Sequence, residues 1–170
     1  IIITAAETSG GVLLTGSGTA DLTGLTYFGT SDFQAQIRAE FPTALVGDDA
    51  DAEQYDGASS GVALGPGTAW RWENRSTGDL FGVFRNRIVL PEDYQSGTAL
   101  FGTSLFAGET FSILGLGPGP FIWNWGSGEN ADSLTLVIGD DSAVPEASTI
   151  TSWLLMAVTG LGLFRYRRHE

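Results

Sequence analysis

Carboxylates are the only general acid-base groups this chain can bring to a body site. The one histidine, His169, stands next to last in the sequence, and there is no cysteine. A Ser-His-Asp triad, a Cys-His pair or a histidine-based metal centre in the body is therefore excluded. Two carboxylates held at a fixed separation can hydrolyse a glycosidic bond when burial raises the pKa of one of them. Glu73, beside Trp70 and Trp72, and Glu129, beside Trp123 and Trp125, are the candidates for such a pair. The acidic run DDADAEQYDG, residues 48–57, raises calcium, because hard cations prefer oxygen ligands. Asp49, Asp51 and Glu53 have the opening spacing of an EF-hand, but Gln54 stands where that motif needs glycine. A looser cation site would use Asp48, Asp49, Asp51 and Asp56, with a solvated loop as the alternative. The two Trp-x-Trp pairs, Trp70/Trp72 and Trp123/Trp125, each put both rings on one face of a strand. Exposed, they would form a platform for sugar rings; buried, they fill a core.

The elements that must hold these residues are strands. The 170 residues include 24 glycines, with 42% hydrophobic and only 16% charged residues. That composition suits an all-β domain whose turns need glycine at positive φ, and the ten Phe, five Trp and four Tyr argue against disorder. Short apolar runs read as strands at residues 1–4, 11–15, 19–25, 68–73, 80–84, 87–90, 99–101, 104–107, 111–114, 121–125 and 134–138. Phe33–Phe41 fits either a short helix or an irregular strand, and residues 48–57 read as a loop. The expected fold is mainly β: a single antiparallel β-sandwich or barrel-like domain followed by one C-terminal hydrophobic helix. The expected boundaries are 1–139 for the β domain, 140–146 for a linker and motif, and 147–170 for a transmembrane helix with a basic tail.

Charge divides along the same line. Residues 1–143 carry 18 acids against 5 arginines, a net −13, whereas the remainder is net +1. Such a body repels nucleic acid phosphates. The chain opens on Ile-Ile-Ile rather than Met; a removed signal peptide is one expectation and a trimmed chain the other.

Residues 150–164 contain no charge. As a helix they would span about 22 Å at ~1.5 Å each, and flanking residues extend this toward a bilayer's roughly 30 Å core. Trp153 and Tyr166 fall near the two ends, where amphipathic rings favour the interface. Gly160 and Gly162 would weaken the same segment as a water-soluble helix. Arg165, Arg167 and Arg168 set the cytoplasmic side, leaving the body outside. A buried core helix is the alternative.

Val144-Pro145-Glu146, then Ser148-Thr149, an apolar segment with Gly160-Leu161-Gly162, and a closing arginine cluster resemble the PEP-CTERM protein-sorting signal. The usual motif is Pro-Glu-Pro; here the third residue is Ala147. Residues 114–138 and the early ETSGGVLLTGSGTADLTGL resemble stretches of exported proteins of that class. The resemblance implies an inner-membrane-anchored precursor in a Gram-negative bacterium, cleaved by an exosortase and released to the cell surface or matrix. It implies a non-enzymatic role without a cofactor, with exosortase and inner membrane as transient partners. Exopolysaccharide is the further partner expected if the tryptophans bind glycan.

Overall fold

The computed structural model describes residues 1–59 and 61–139, and it is mainly β, with two sheets enclosing a shared core. The first sheet has six strands in the order β12-β13-β1-β2-β11-β8. These are β1 (Ile2–Thr8), β2 (Gly11–Gly18), β8 (Arg75–Gly78), β11 (Leu100–Ala107), β12 (Gly119–Trp125) and β13 (Asp132–Ile138). The second has seven in the order β3-β6-β10-β9-β5-β4-β7. These are β3 (Thr26–Phe33), β4 (Gln36–Arg38), β5 (Thr43–Val46), β6 (Ala50–Asp56), β7 (Arg71–Trp72), β9 (Phe81–Phe84) and β10 (Arg87–Pro91).

The β1–β2 hairpin shows how local chemistry sets the frame. Ile3, Ala5, Val12 and Leu14 alternate into the core, while Thr8 Oγ1 accepts from the Gly10 amide and donates to the Gly11 carbonyl to close the turn. Among the described residues all strand pairs are antiparallel except β1–β13, which runs parallel with Ile3 opposite Leu136. Parallel neighbours need a long crossover, and the whole intervening chain supplies it.

The second sheet is built on a bent hairpin. β3 and β4 nearly join, as do β5 and β6: Phe33 pairs with Ala50, and Ile37 with Ala44. At the bend, Gly47 has φ +108, and a Cβ there would strike the Asp79 backbone. The β9–β10 hairpin slots between β5 and β6 and completes the sheet. It carries Phe84 to Phe33 (ring centroids 5.3 Å apart) over a small apolar cluster with Ala35, Leu45, Ala52, Leu80 and Val89.

Three local expectations are corrected, and one that stood open between two alternatives is decided. Phe111–Leu114 is one helical turn (α1) rather than a strand. Thr110 caps it by accepting from the Ile113 amide, and Gly115 ends it in the left-handed region. Residues 19–25 form no strand; they cross from β2 to β3 held by distant groups. Tyr94 Oη accepts from the Ala20 amide and donates to the Thr98 carbonyl, the Asp132 carboxylate accepts from the Asp21 amide, and Trp125 Nε1 donates to the Asp21 carbonyl. The acidic run is mostly a strand, β6, with Ala52 and Gln54 buried between exposed or half-buried acids. Phe33–Phe41 resolves as strand, with Phe33 ending β3 and Gln36–Arg38 forming β4.

No helix among the described residues is long and apolar enough to cross a membrane. The expected linker, 140–146, and the expected transmembrane segment, 147–170, lie outside the described residues.

Candidate functional site

Period-two patterning puts the rings of each tryptophan pair on one face, but the two pairs face different ways. Trp123 and Trp125 point between the sheets, opposite Leu134 and Asp132 on β13, and both are buried. A platform cannot use them: rings sealed in a core cannot stack on a ligand. Trp72 is 53% exposed and Trp70 half-buried, on and beside the short edge strand β7 where Trp72 pairs with Gln36.

Around Trp70 the chain gathers aromatic rings and arginines. Trp70 stacks on Phe84 with centroids 6.0 Å apart, and the Arg38 guanidinium lies 4.8 Å from its ring centroid. Arg38 also lies 4.4 Å from the Phe41 centroid and pairs with Glu40 at 2.8 Å. Arg85, on the β9–β10 turn, sits 5.4 Å from the Phe84 ring and 5.8 Å from Phe41. Cations over ring faces gain roughly 0.5–2 kcal/mol each, more where water is excluded. Trp70 is thus engaged by its neighbours, and of the four tryptophans in the body Trp72 is the one open to a planar ligand. Sequence reading missed Arg38, Phe41, Phe84 and Arg85. The signal was the interleaving of Phe and Arg in FGVFRNR, residues 81–87.

Glu73 follows this edge. Its Oε1 accepts from Gln34 Nε2 at 3.1 Å, and its Oε2 is buried without a partner. Burial pushes its carboxyl above the ordinary range, the Gln34 hydrogen bond pulls it down, and nearby Asp49 pushes it up again. Glu129 is far away, in the exposed 3-10 turn Gly128–Asn130 that follows β12. β12 and β8 are opposite edges of the first sheet, five spacings or roughly 24 Å apart. Glycosidase carboxylates sit about 5–9.5 Å apart. Glu73 and Glu129 are not brought together.

The four aspartates of the candidate cation site also diverge. Asp48 accepts from Ser76 Oγ at 2.9 Å and from the Gly78 amide at 3.2 Å, whereas Asp56 pairs with Arg87 at 2.9 Å. The length of β6 separates them, roughly 20 Å along an extended strand. Asp51 pairs with Asp32 on β3, and Asp49 lies beside Glu73. Among the described residues no three His, Cys, Asp or Glu side chains are grouped to hold a metal ion. An open cavity of about 440 Å³ lies elsewhere, lined by Thr19, Ala20, Asp21, Ser96, Gly97 and Asp132. Asp132 is already satisfied there by the Asp21 and Ser133 amides.

The sorting residues Val144, Pro145, Glu146, Ser148 and Thr149, and the anchor residues Trp153, Gly160, Gly162, Arg165, Arg167 and Arg168, lie outside the described residues. No family model, curated protein or solved structure matches the chain.

Proposed function

We propose that this chain is a non-catalytic, exported β-domain protein, delivered to the cell surface or extracellular matrix by its C-terminal segment. The observation that carries the reading is the order of residues 144–170: Pro145-Glu146, then an uncharged apolar stretch, then Arg165, Arg167 and Arg168. The apolar stretch lodges in the inner membrane, and the arginines hold its end in the cytoplasm. Pro145 and Glu146 are then presented on the outer side as the recognition residues of an exosortase. They are a substrate's residues and take no catalytic part. The anionic body keeps the released domain soluble by self-repulsion.

Intact-mass measurement on protein from cells with and without the exosortase tests this. Loss of the segment after Pro145-Glu146 only when the enzyme is present is the expected result. An identical C-terminus in both strains rejects the reading.

Trp72 supports a second reading, glycan binding. It is exposed on the edge strand two residues beyond Trp70, whose ring the Arg38 guanidinium covers. Trp72→Ala would then abolish retardation of the full chain in gels containing the host exopolysaccharide. Equal mobility shifts in parent and variant would dismiss it.

A further inference from the structure

The outward face of the first sheet differs in charge from the rest of the protein. Strand register aligns two rows across it. Ile122, Thr135, Ile2, Ser17 and Phe101 lie side by side over β12, β13, β1, β2 and β11. Thr4, Thr15, Thr103 and Thr77 form the adjacent row over β1, β2, β11 and β8, with the Thr77 and Thr103 hydroxyls 2.8 Å apart. Ile2 is 57%, Phe101 54% and Ile122 48% exposed, so no described residue covers this face. In a chain with 20 acids, no outward-facing strand position of this sheet carries a carboxylate. The single charge among them is Arg75, on the edge strand β8.

We propose that this face is a self-association surface, on which a second copy of the chain packs sheet against sheet about a two-fold axis. Two bodies of net −13 repel through their acidic surfaces. The first sheet is a face along which they can approach without opposing carboxylates. Threonine hydroxyls both donate and accept, so identical hydroxyl rows related by a two-fold axis satisfy each other. In the flanking row, Ile122, Ile2 and Phe101 supply the apolar contact. Five strands of seven or eight residues, about 25 Å long and ~4.8 Å apart, with the four-residue β8 at one edge, make roughly 550 Å² of flat sheet. The accessible area of a side-chain-covered face exceeds its projection, which brings it near the ~800 Å² per partner of a standard interface.

Other occupants fit less well. A glycan face needs flat rings and fork-like polar groups, and Phe101 is the one aromatic ring pointing outward here. An anionic lipid surface needs clustered cations, and Arg75 stands alone. The inference is independent of how the chain is delivered.

The test uses the full chain in density-matched detergent, followed by sedimentation equilibrium. The expected result is a dimer for the parent and at least 100-fold weaker association for Thr4→Glu/Thr15→Glu. Both positions are exposed, so circular dichroism should be unchanged. The cysteine-free chain allows a milder readout that does not depend on that variant folding. In Thr15→Cys the only thiols would face each other across sheets about 10 Å apart. That is too far for a disulfide but within reach of a short bis-maleimide. Cross-linked dimer from Thr15→Cys and none from Asn86→Cys, on the β9–β10 turn, is expected. A monomeric parent overturns the proposal. So does a dimer that survives Thr4→Glu/Thr15→Glu, which would place association in the tail or on the other sheet. A monomeric Thr15→Cys variant whose thiol resists labelling also overturns it, because the chain's own segment would then cover the face.

Discussion

Gly16 governs how closely the two sheets approach, and its substitution has a calculable cost. Gly16, Gly102 and Gly78 align on the inner face across β2, β11 and β8. A Cβ on Gly16 would stand 2.7 Å from Phe81 Cζ and 2.9 Å from Val46 Cγ1. The Phe81 ring has no exposed surface, so it cannot swing toward solvent to make room. Alanine in a strand gains about 0.5–1 kcal/mol over glycine from backbone entropy. Overpacking a filled core costs about 1–3 kcal/mol. Gly16→Ala is therefore expected to lose about 0–2.5 kcal/mol net. Phe81→Leu alone loses roughly 1–2 kcal/mol of burial and packing. The smaller leucine vacates the space that the new methyl needs. The double variant should accordingly be at least ~1 kcal/mol more stable than the summed single losses predict. For a body of this size, 1 kcal/mol moves Tm by about 4 °C, so thermal and urea unfolding followed by tryptophan fluorescence resolve the difference. Additive losses, within about 0.5 kcal/mol, would refute the claim that this glycine exists to admit Phe81.

Three further outcomes follow from the same geometry. Tyr94→Phe removes the hydroxyl that receives the buried Ala20 amide and donates to the Thr98 carbonyl; it should cost about 1–3 kcal/mol in urea unfolding, and a change under ~0.5 kcal/mol would mean water replaces it. Trp123→Ala should lose about 3–5 kcal/mol while exposed Trp72→Ala stays within ~0.5 kcal/mol, and iodide should quench only the fluorescence of the latter ring. Glu73→Gln keeps an acceptor for Gln34 but removes a half-buried charge. Because the folded carboxyl is raised by burial, its stabilising contribution is full below the unfolded pKa and lost as pH rises through the folded value. The variant should therefore be the more stable at neutral pH, and the two proteins should converge in acid; a gain that does not vary with pH would exclude this cause.

Much of the first sheet is legible in local sequence. The apolar alternation and the break at Ser9-Gly10 mark β1 and β2, although both strands run past the expected 1–4 and 11–15, to Thr8 and Gly18. What local sequence hides is anything fixed from afar. TADLTGL alternates like a strand, yet Tyr94, Trp125 and Asp132 bind its backbone groups and hold it as a crossing loop. Conversely, DADAEQYD reads as solvated because of its acids, but insertion between β3 and β10 makes it a strand. At residues 111–114 a single capping threonine and a left-handed glycine outweigh apolar alternation. The tryptophans expose the deeper limit. Period two establishes that two rings share a face and leaves open which face that is. Trp123 and Trp125 fall inward because their strand registers with Leu134, itself committed to the core. Trp70 and Trp72 fall outward because β7 pairs with Gln36 on the sheet's far side. The same ambiguity concealed the carboxylate-free face of the first sheet. Its threonines and isoleucines are scattered along the chain from Ile2 to Thr135, and only pairing of β1 with β13 and β2 with β11 assembles them into rows. Whether a strand's outward residues amount to a surface is thus decided by register, a property of pairs of segments that no single segment encodes.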